Sequence, residues 1–309
     1  MTESKNHNDC EKLKNILEES NKLNDIELLI EITTSHTFEE RKEIKKIYFE
    51  NYRKDLLEDV KKSSFLDDNF KDLIMGLYTD KYEYDAQQLK KAIEDETDYD
   101  TLIEIIGTRP GRMLNKIKNE YKKLSIDLEK VIKDKTSDYF QKLLITLLNS
   151  DRRKDKVPNI KECNNICNRL IKGQSKEEIF NIFNEYLGSY SPVELMTISR
   201  EYHRAQKKLL ENFIEDYFSG NILKLIKTIL FANICPSEYF GQKIREGLNN
   251  LNILNRVIVV RNEIDIPIIK EYYKINNCNH DMGNDIEKKL KNENECYKKL
   301  LLKLINRQQ

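Results

Sequence analysis

The chain has 309 residues with 53 Lys and Arg against 53 Asp and Glu, a formal net charge of zero, which excludes a strongly basic nucleic-acid footprint. Apolar residues at 39% can fill a core, while 34% charged residues, 9 Gly, 5 Pro and no Trp exclude a sandwich, a barrel or a disordered tail. The composition is that of an all-α protein, and its length leaves room for one large domain or several small ones.

Nothing approaches the ~18–20 consecutive apolar residues of a bilayer span. The longest runs are Leu143–Leu148, broken by Thr146, and Val257–Val260. Met1 to Glu11 is polar and lacks a signal-peptide core, so an intracellular, reducing compartment is expected. Cys10, Cys163, Cys167, Cys235, Cys278 and Cys296 form no C-x-x-C pair and read as free thiols. Cys278 and His280 lie two apart but lack the second pair that a metal site would need.

In chain order, one pattern recurs four times. Ile44 and Tyr48, Ile117 and Tyr121, Ile198 and Tyr202, and Ile269 and Tyr273 are each four apart, and eight residues before each Ile stand His36, Arg109, Tyr190 and Arg261. Further on, Phe70, Phe140, Ile222 and Tyr297 each precede an apolar pair at +3 and +4, at intervals of 70, 82 and 75 residues. A unit of this length holds about five short helices. The spacing divides the chain into repeats over 9–80, 81–150, 163–235 and 236–306, with the charged segment 151–162, DRRKDKVPNIKE, as a linker. Within the second unit, Leu89, Ala92 and Ile93 share a helical face, and Leu102, Ile103, Ile105 and Ile106 form a heavily apolar helix ending near Gly107 and Pro110. Met113, Leu114, Ile117 and Tyr121 mark a third helix, Leu128, Val131 and Ile132 a fourth, and Phe140 to Leu148 a fifth that must be buried. Asp85, and Ser137 or Asp138, are the expected N-caps.

Segment 84–149 contains D-A-x-x-L-x-x-A, then L-I-E-I-I-x-x-R, I-x-x-x-Y and T-S-x-x-F-x-x-L-L, and it resembles an annexin repeat. The first unit keeps LLIEITTS and RKEIKKIY, the third keeps Ser219 to Asn221, and the fourth keeps VVRNEIDI and YKKLLLKL. The resemblance implies four five-helix repeats forming a curved disc, whose convex side carries the loops between helices one and two and between helices four and five. It also implies phospholipid binding promoted by calcium. In that family each convex loop usually holds G-x-G-T, with a capping carboxylate about forty residues on, because calcium needs six to eight hard oxygens.

This chain has no G-x-G. Its four loops are Asn21 to Asn24, Asp95 to Asp98, Gly173 to Ser175, and a compressed Asn249 to Asn252. The caps implied by the resemblance are Asp67 or Asp68, Asp134, Asp216, and Asn292 or Glu293. Glu94, Asp95, Glu96, Asp98 and Asp100 crowd five carboxylates together, and the family register brings Asp134 toward them. Crowded like charges are costly unless a cation or solvent relieves them. Asp95, Glu96, Thr97, Asp98 and Asp134 are therefore a candidate weak calcium site, the competing reading being a solvated acidic loop.

Lys61 and Lys62 beside Phe65 and Leu66 combine cations with apolar groups on an expected convex loop, so they are candidates for lipid contact; the competing reading packs Phe65 and Leu66 onto the first bundle. Arg109 and Arg261 hold the family's arginine position, where a buried, hydrogen-bonded structural role is expected, and His36 and Tyr190 replace that arginine elsewhere. H-E-x-x-H, G-x-S-x-G and G-x-x-x-x-G-K are all missing, so no enzyme is expected. The reading is a cytoplasmic, peripheral protein that binds anionic phospholipid, with calcium as a weak cofactor, a cytoskeletal partner as an option and no nucleic acid. The alternative is a helical scaffold that binds protein partners without lipid.

Overall fold

The computed structural model describes residues 2–19, 23–94, 96–124, 127–150 and 157–307, and every regular element among them is a helix. The first five are α1 (Thr2–Glu19), α2 (Leu23–Ser35), α3 (Phe38–Tyr52), α4 (Leu56–Lys62) and α5 (Asp68–Tyr78). The next set is α6 (Lys81–Glu94), α7 (Tyr99–Thr108), α8 (Gly111–Leu124), α9 (Leu128–Lys135) and α10 (Asp138–Leu148). Then come α11 (Ile160–Lys172), α12 (Lys176–Ser189), α13 (Pro192–Gln206), α14 (Leu210–Glu215) and α15 (Gly220–Ile234). The last five are α16 (Pro236–Gly247), α17 (Leu251–Arg261), α18 (Ile266–Asn276), α19 (Met282–Lys289) and α20 (Glu295–Ile305).

The sequence explains where these helices start. Thr37 and Glu40 form a capping box at α3, Ser175 and Glu178 one at α12, and Ser191 and Glu194 one at α13, each satisfying two orphan N–H groups. Asn159 caps α11, accepting from the Glu162 N–H at 3.3 Å, so that helix opens inside the segment composition marks as a linker. Residues 151–156 of that segment lie outside the described residues. One expected cap is corrected: Asp85 sits five residues into α6 and is buried, because α6 already opens at Lys81.

The helices gather into two compact units. One joins Met1–Lys81 to Ser237–Gln309, and the other is Tyr82–Pro236. In the first, α1 packs on α3, α5 on α17 and α2 on α20. The Tyr297 hydroxyl donates to Asn255 Oδ1 at 2.7 Å, and the Asn255 amide donates to the Asn69 carbonyl at 3.3 Å, so three helices are tied at one buried point. In the second, α7 lies along α15, α11 along α13 and α10 along α12. Leu102, Ile103, Ile105 and Ile106 of α7 are all buried, and each contributes about 1.5–3 kcal/mol of burial. The Ile and Tyr of every repeated pair are buried in α3, α8, α13 and α18.

The compressed fourth loop has a steric cause. A Cβ on Gly247 would lie 2.8 Å from the backbone N of Leu254, so the missing side chain lets α16 end directly against α17.

Candidate functional site

The residues that close the second helix of each repeat are anchored differently. Arg109 donates from Nε and Nη2 to the two carboxylate oxygens of Asp85, at 2.8 and 3.0 Å, and both side chains are buried. Arg261 grips Asp265 through Nε at 2.8 Å and through Nη2, and its guanidinium lies 4.4 Å from the Phe240 ring. His36 is buried with Nδ1 2.8 Å from the Ile32 carbonyl and Nε2 3.4 Å from Asp9 Oδ2. Tyr190 stacks edge-on against Tyr186 with centroids 5.8 Å apart.

The sequence reading overlooked Arg41. It is buried and donates to the Leu77, Thr33 and His36 carbonyls and to Glu263, so the first repeat's arginine is supplied from α3. The signal was present, since Arg41 stands three and seven residues before Ile44 and Tyr48, on the core face of α3.

Around the α6–α7 loop the charges are largely met from within the protein. Glu94 pairs with Lys90 at 3.2 Å and Asp100 pairs with Lys224. Asp98 caps α7, accepting from the Asp100 and Thr101 N–H groups at 3.0 Å and from the Thr101 hydroxyl at 2.7 Å. The Thr97 carbonyl accepts from the Tyr99 N–H, and Glu96 is exposed. Asp95 lies outside the described residues. Among the described residues no group of three or more His, Cys, Asp or Glu gathers to hold a metal. Asp98 is committed to capping α7, so a calcium shell of six to eight oxygens at this loop would have to draw on other groups as well.

Several of the other expected ion-binding positions are similarly engaged. Asp67 caps α5, Asp68 pairs with Lys71, Asp216 pairs with Lys208, and Glu293 accepts from the Asn69 amide. At the third loop Glu178 accepts from the Gln174 and Ser175 N–H groups, which hold its carboxyl below the usual range. Asn21 and Lys22 of the first loop lie outside the described residues.

The structure corrects one member of the expected lipid-contact group. Leu66 is only 5% exposed and packs into the first bundle, so it is not available for insertion. Phe65 is half-buried, while Lys61 and Lys62 are exposed in the last turn of α4, where they complement the helix dipole.

A broad concave feature lies in the second unit, at the α9–α10 turn. This cleft of about 970 Å³ is lined by Asp134, the turn itself, Lys142, Lys176, Ser219 and Asn221, with Tyr99 and Tyr139 as aromatic walls. Lys142 and Lys176 place their ammonium groups 5.6 and 5.7 Å from the Tyr139 ring. Among the described residues, neither of these lysines nor Lys135 has a carboxylate partner, and Asp134 has no donor. Two helices open here without side-chain caps, α10 behind Ser137 and α15 behind Ser219, so no N-cap side chain satisfies their first N–H groups. Both begin in the left-handed region, Asp138 at φ 55° and Gly220 at φ 65°. Ser137 donates to the Asp138 carboxylate instead of capping. Three cations against Asp134 and Asp138, with two open helix N-termini, make an anion-receptive surface. Lys135 and Lys142 are seven residues apart on different helices, and Lys176 lies 34 residues beyond Lys142, so no sequence motif groups the three.

Known proteins place this architecture. The Annexin family model matches residues 9–77 and 84–147. Mouse annexin A13 is 31% identical over 263 residues, covering 80% of each chain. Human annexin A7 is 28% identical over 259 residues, and the chain spans only 52% of its length. Among solved structures, annexin III superposes with a TM-score of 0.91 at 25% identity over 98% of this chain and 94% of that one. A calcium-bound annexin (Sm)1 superposes at 0.84 with 20% identity, covering 98% and 90%. Four sets of five helices, the repeated Ile and Tyr pairs in their cores and this similarity to annexin A13 lead to one conclusion: the chain belongs to the annexin family.

Proposed function

We propose that this protein is a peripheral membrane protein that docks on anionic phospholipid mainly through electrostatics, with calcium dependence weakened relative to its family. Annexins are generally non-enzymatic proteins whose phospholipid binding depends on calcium. No helix among the described residues is long and apolar enough to cross a membrane, so contact is made from the surface. The observation that carries the reading is the α9–α10 cleft, where Lys135, Lys142 and Lys176 outnumber Asp134 and Asp138 and make no ion pair among the described residues.

Lysines near an anionic leaflet are each worth about 1 kcal/mol. Three of them, aided by the open N-termini of α10 and α15, supply affinity of the kind that calcium supplies where a G-x-G-T loop is intact. Calcium remains a weak cofactor candidate, because Asp134 faces the same cleft and a lipid phosphate beside it could complete a sparse shell. A cytoplasmic location and a cytoskeletal partner fit this reading.

Sedimentation with phosphatidylserine-containing vesicles tests it. Lys142→Glu and Lys176→Glu should each lower the bound fraction, and raising salt should lower it for the parent chain. Binding that ignores both changes would refute the electrostatic route. No binding in any condition would favour a scaffold for protein partners.

A further inference from the structure

The first helix is fastened to its unit at a buried polar junction. α1 packs on α3, yet its apolar grip is thin: among its described side chains the buried apolar ones are Cys10, Leu13 and Ile16, beside the buried Asn6 and Asp9. His36, in the turn between α2 and α3, is 1% exposed and lies across from Asp9. Its Nδ1 is 2.8 Å from the Ile32 carbonyl and 3.2 Å from Ser35 Oγ. A carbonyl can only accept, so Nδ1 carries a proton. On the other side of the ring, Nε2 makes no hydrogen bond, and Asp9 Oδ2 lies 3.4 Å from it. The second Asp9 oxygen accepts from Lys12 Nζ at 2.8 Å, which holds the carboxylate in its ionised form.

Neither neutral form of the ring fits these surroundings. Protonated on Nε2 alone, it would set a bare Nδ1 against the Ile32 carbonyl. Protonated on Nδ1 alone, it would set a buried lone pair beside a carboxylate. With both nitrogens protonated, the ring meets an acceptor on one side and a negative charge on the other. The other groups at the junction leave that charge in place. Burial keeps the Cys10 thiol of α1 and the Tyr78 phenol of α5 protonated. From α3, the Glu40 carboxylate is close enough to feel the imidazole, and Arg41 donates to the His36 carbonyl. Lys5 and His7, both exposed, are the remaining titratable groups at this end of α1 before Asp9.

We infer that His36 is a buried imidazolium whose charge latches α1 onto the first unit, so that docking of this helix responds to pH. When α1 is released the ring is left in water, where it gives up its proton in the neutral range. The docked form holds that proton, so docking is fully supported in mildly acidic solution and weakens as pH rises through neutrality. The thin apolar contact lets α1 open locally while the rest of the unit stays folded.

Selective 15N-histidine labelling of the full chain tests the charge state, since imidazole nitrogen shifts separate the imidazolium from either neutral tautomer. At pH 7 the His36 signal, assigned by its loss in His36→Gln, should be mainly imidazolium. Amide exchange in α1, corrected for the intrinsic rate at each pH, should show about threefold more protection at pH 5.5 than at pH 7.5, the change expected from about half a pH unit of proton linkage. Asp9→Asn and His36→Gln should each abolish that dependence, and His7→Gln should leave it intact. A neutral His36 at pH 7 in the parent chain would overturn the inference, whatever the variants do. So would α1 protection that ignores pH, a dependence that survives both Asp9→Asn and His36→Gln, or one that vanishes with His7→Gln.

Discussion

Arg109 and Asp85 stand 24 positions apart and meet through two charge-assisted hydrogen bonds, Nε to Oδ2 at 2.8 Å and Nη2 to Oδ1 at 3.0 Å, with both side chains buried. The pair ties the end of α7 to α6, and its bidentate geometry cannot be reproduced by lysine. Arg109→Ala would strand a buried carboxylate, so urea denaturation should show a loss of about 3–5 kcal/mol. Replacing both residues by apolar ones should cost much less. Equal losses from the single and double variants would show that the coupling is not electrostatic.

Alkaline pH should destabilise the fold before its phenols titrate. Burial pushes the Cys10 thiol up to about 11 and the Tyr202 phenol up to about 12, and burial also raises the Tyr48, Tyr186 and Tyr273 phenols. In the unfolded chain the thiol and phenol titrate near 9 and 10. The folded state therefore holds these protons longer than the unfolded state, and stability present below about pH 9 is lost as pH rises through 11 to 12. Urea midpoints measured from pH 7 to 11 should be flat at first and then fall. Midpoints that rise above pH 9 would contradict the burial of these groups.

Gly247→Ala should destabilise by about 1–3 kcal/mol, because the new methyl would press on the Leu254 backbone rather than on a side chain that can move. Thermal unfolding would register this as a lowered midpoint. No change would mean that α16 and α17 part easily at that point.

Much of the fold was legible because its repeating parts are buried. The Ile44, Ile117, Ile198 and Ile269 positions and the tyrosines after them all sit in the cores of third helices, and burial constrains a residue wherever a repeat recurs. Boundaries were less legible. The start of α11 is set by Asn159, one residue after Pro158, in a run whose charge resembles a linker. Asp85 looked like a cap because acidic residues favour helix starts, yet Arg109, distant in sequence, draws it into the interior. Leu66 follows two lysines and a half-buried Phe65, and only the packing of the first bundle reveals that it points inward. The anion-receptive cleft was illegible for the same reason: Lys135, Lys142 and Lys176 are assembled by the folding of α9, α10 and α12.

The calcium chemistry rests on loops whose oxygens are partly committed. Asp98 is held by three donors at the start of α7, so calcium must displace a helix cap to recruit it. Asp98→Ala should cost about 1 kcal/mol of stability through the lost cap while leaving vesicle binding in chelator unchanged. A variant that keeps its stability but loses chelator-resistant binding would place Asp98 in the lipid site instead.

The most direct measurement is co-sedimentation of the full chain with phosphatidylserine vesicles, once in calcium chelator and once in millimolar calcium, at low and high salt. Substantial pelleting in chelator is expected, with a modest gain from calcium, a marked loss at high salt, and a further loss in the combined Lys135→Glu, Lys142→Glu and Lys176→Glu variant. Pelleting absent in chelator and fully restored by micromolar calcium would contradict the account.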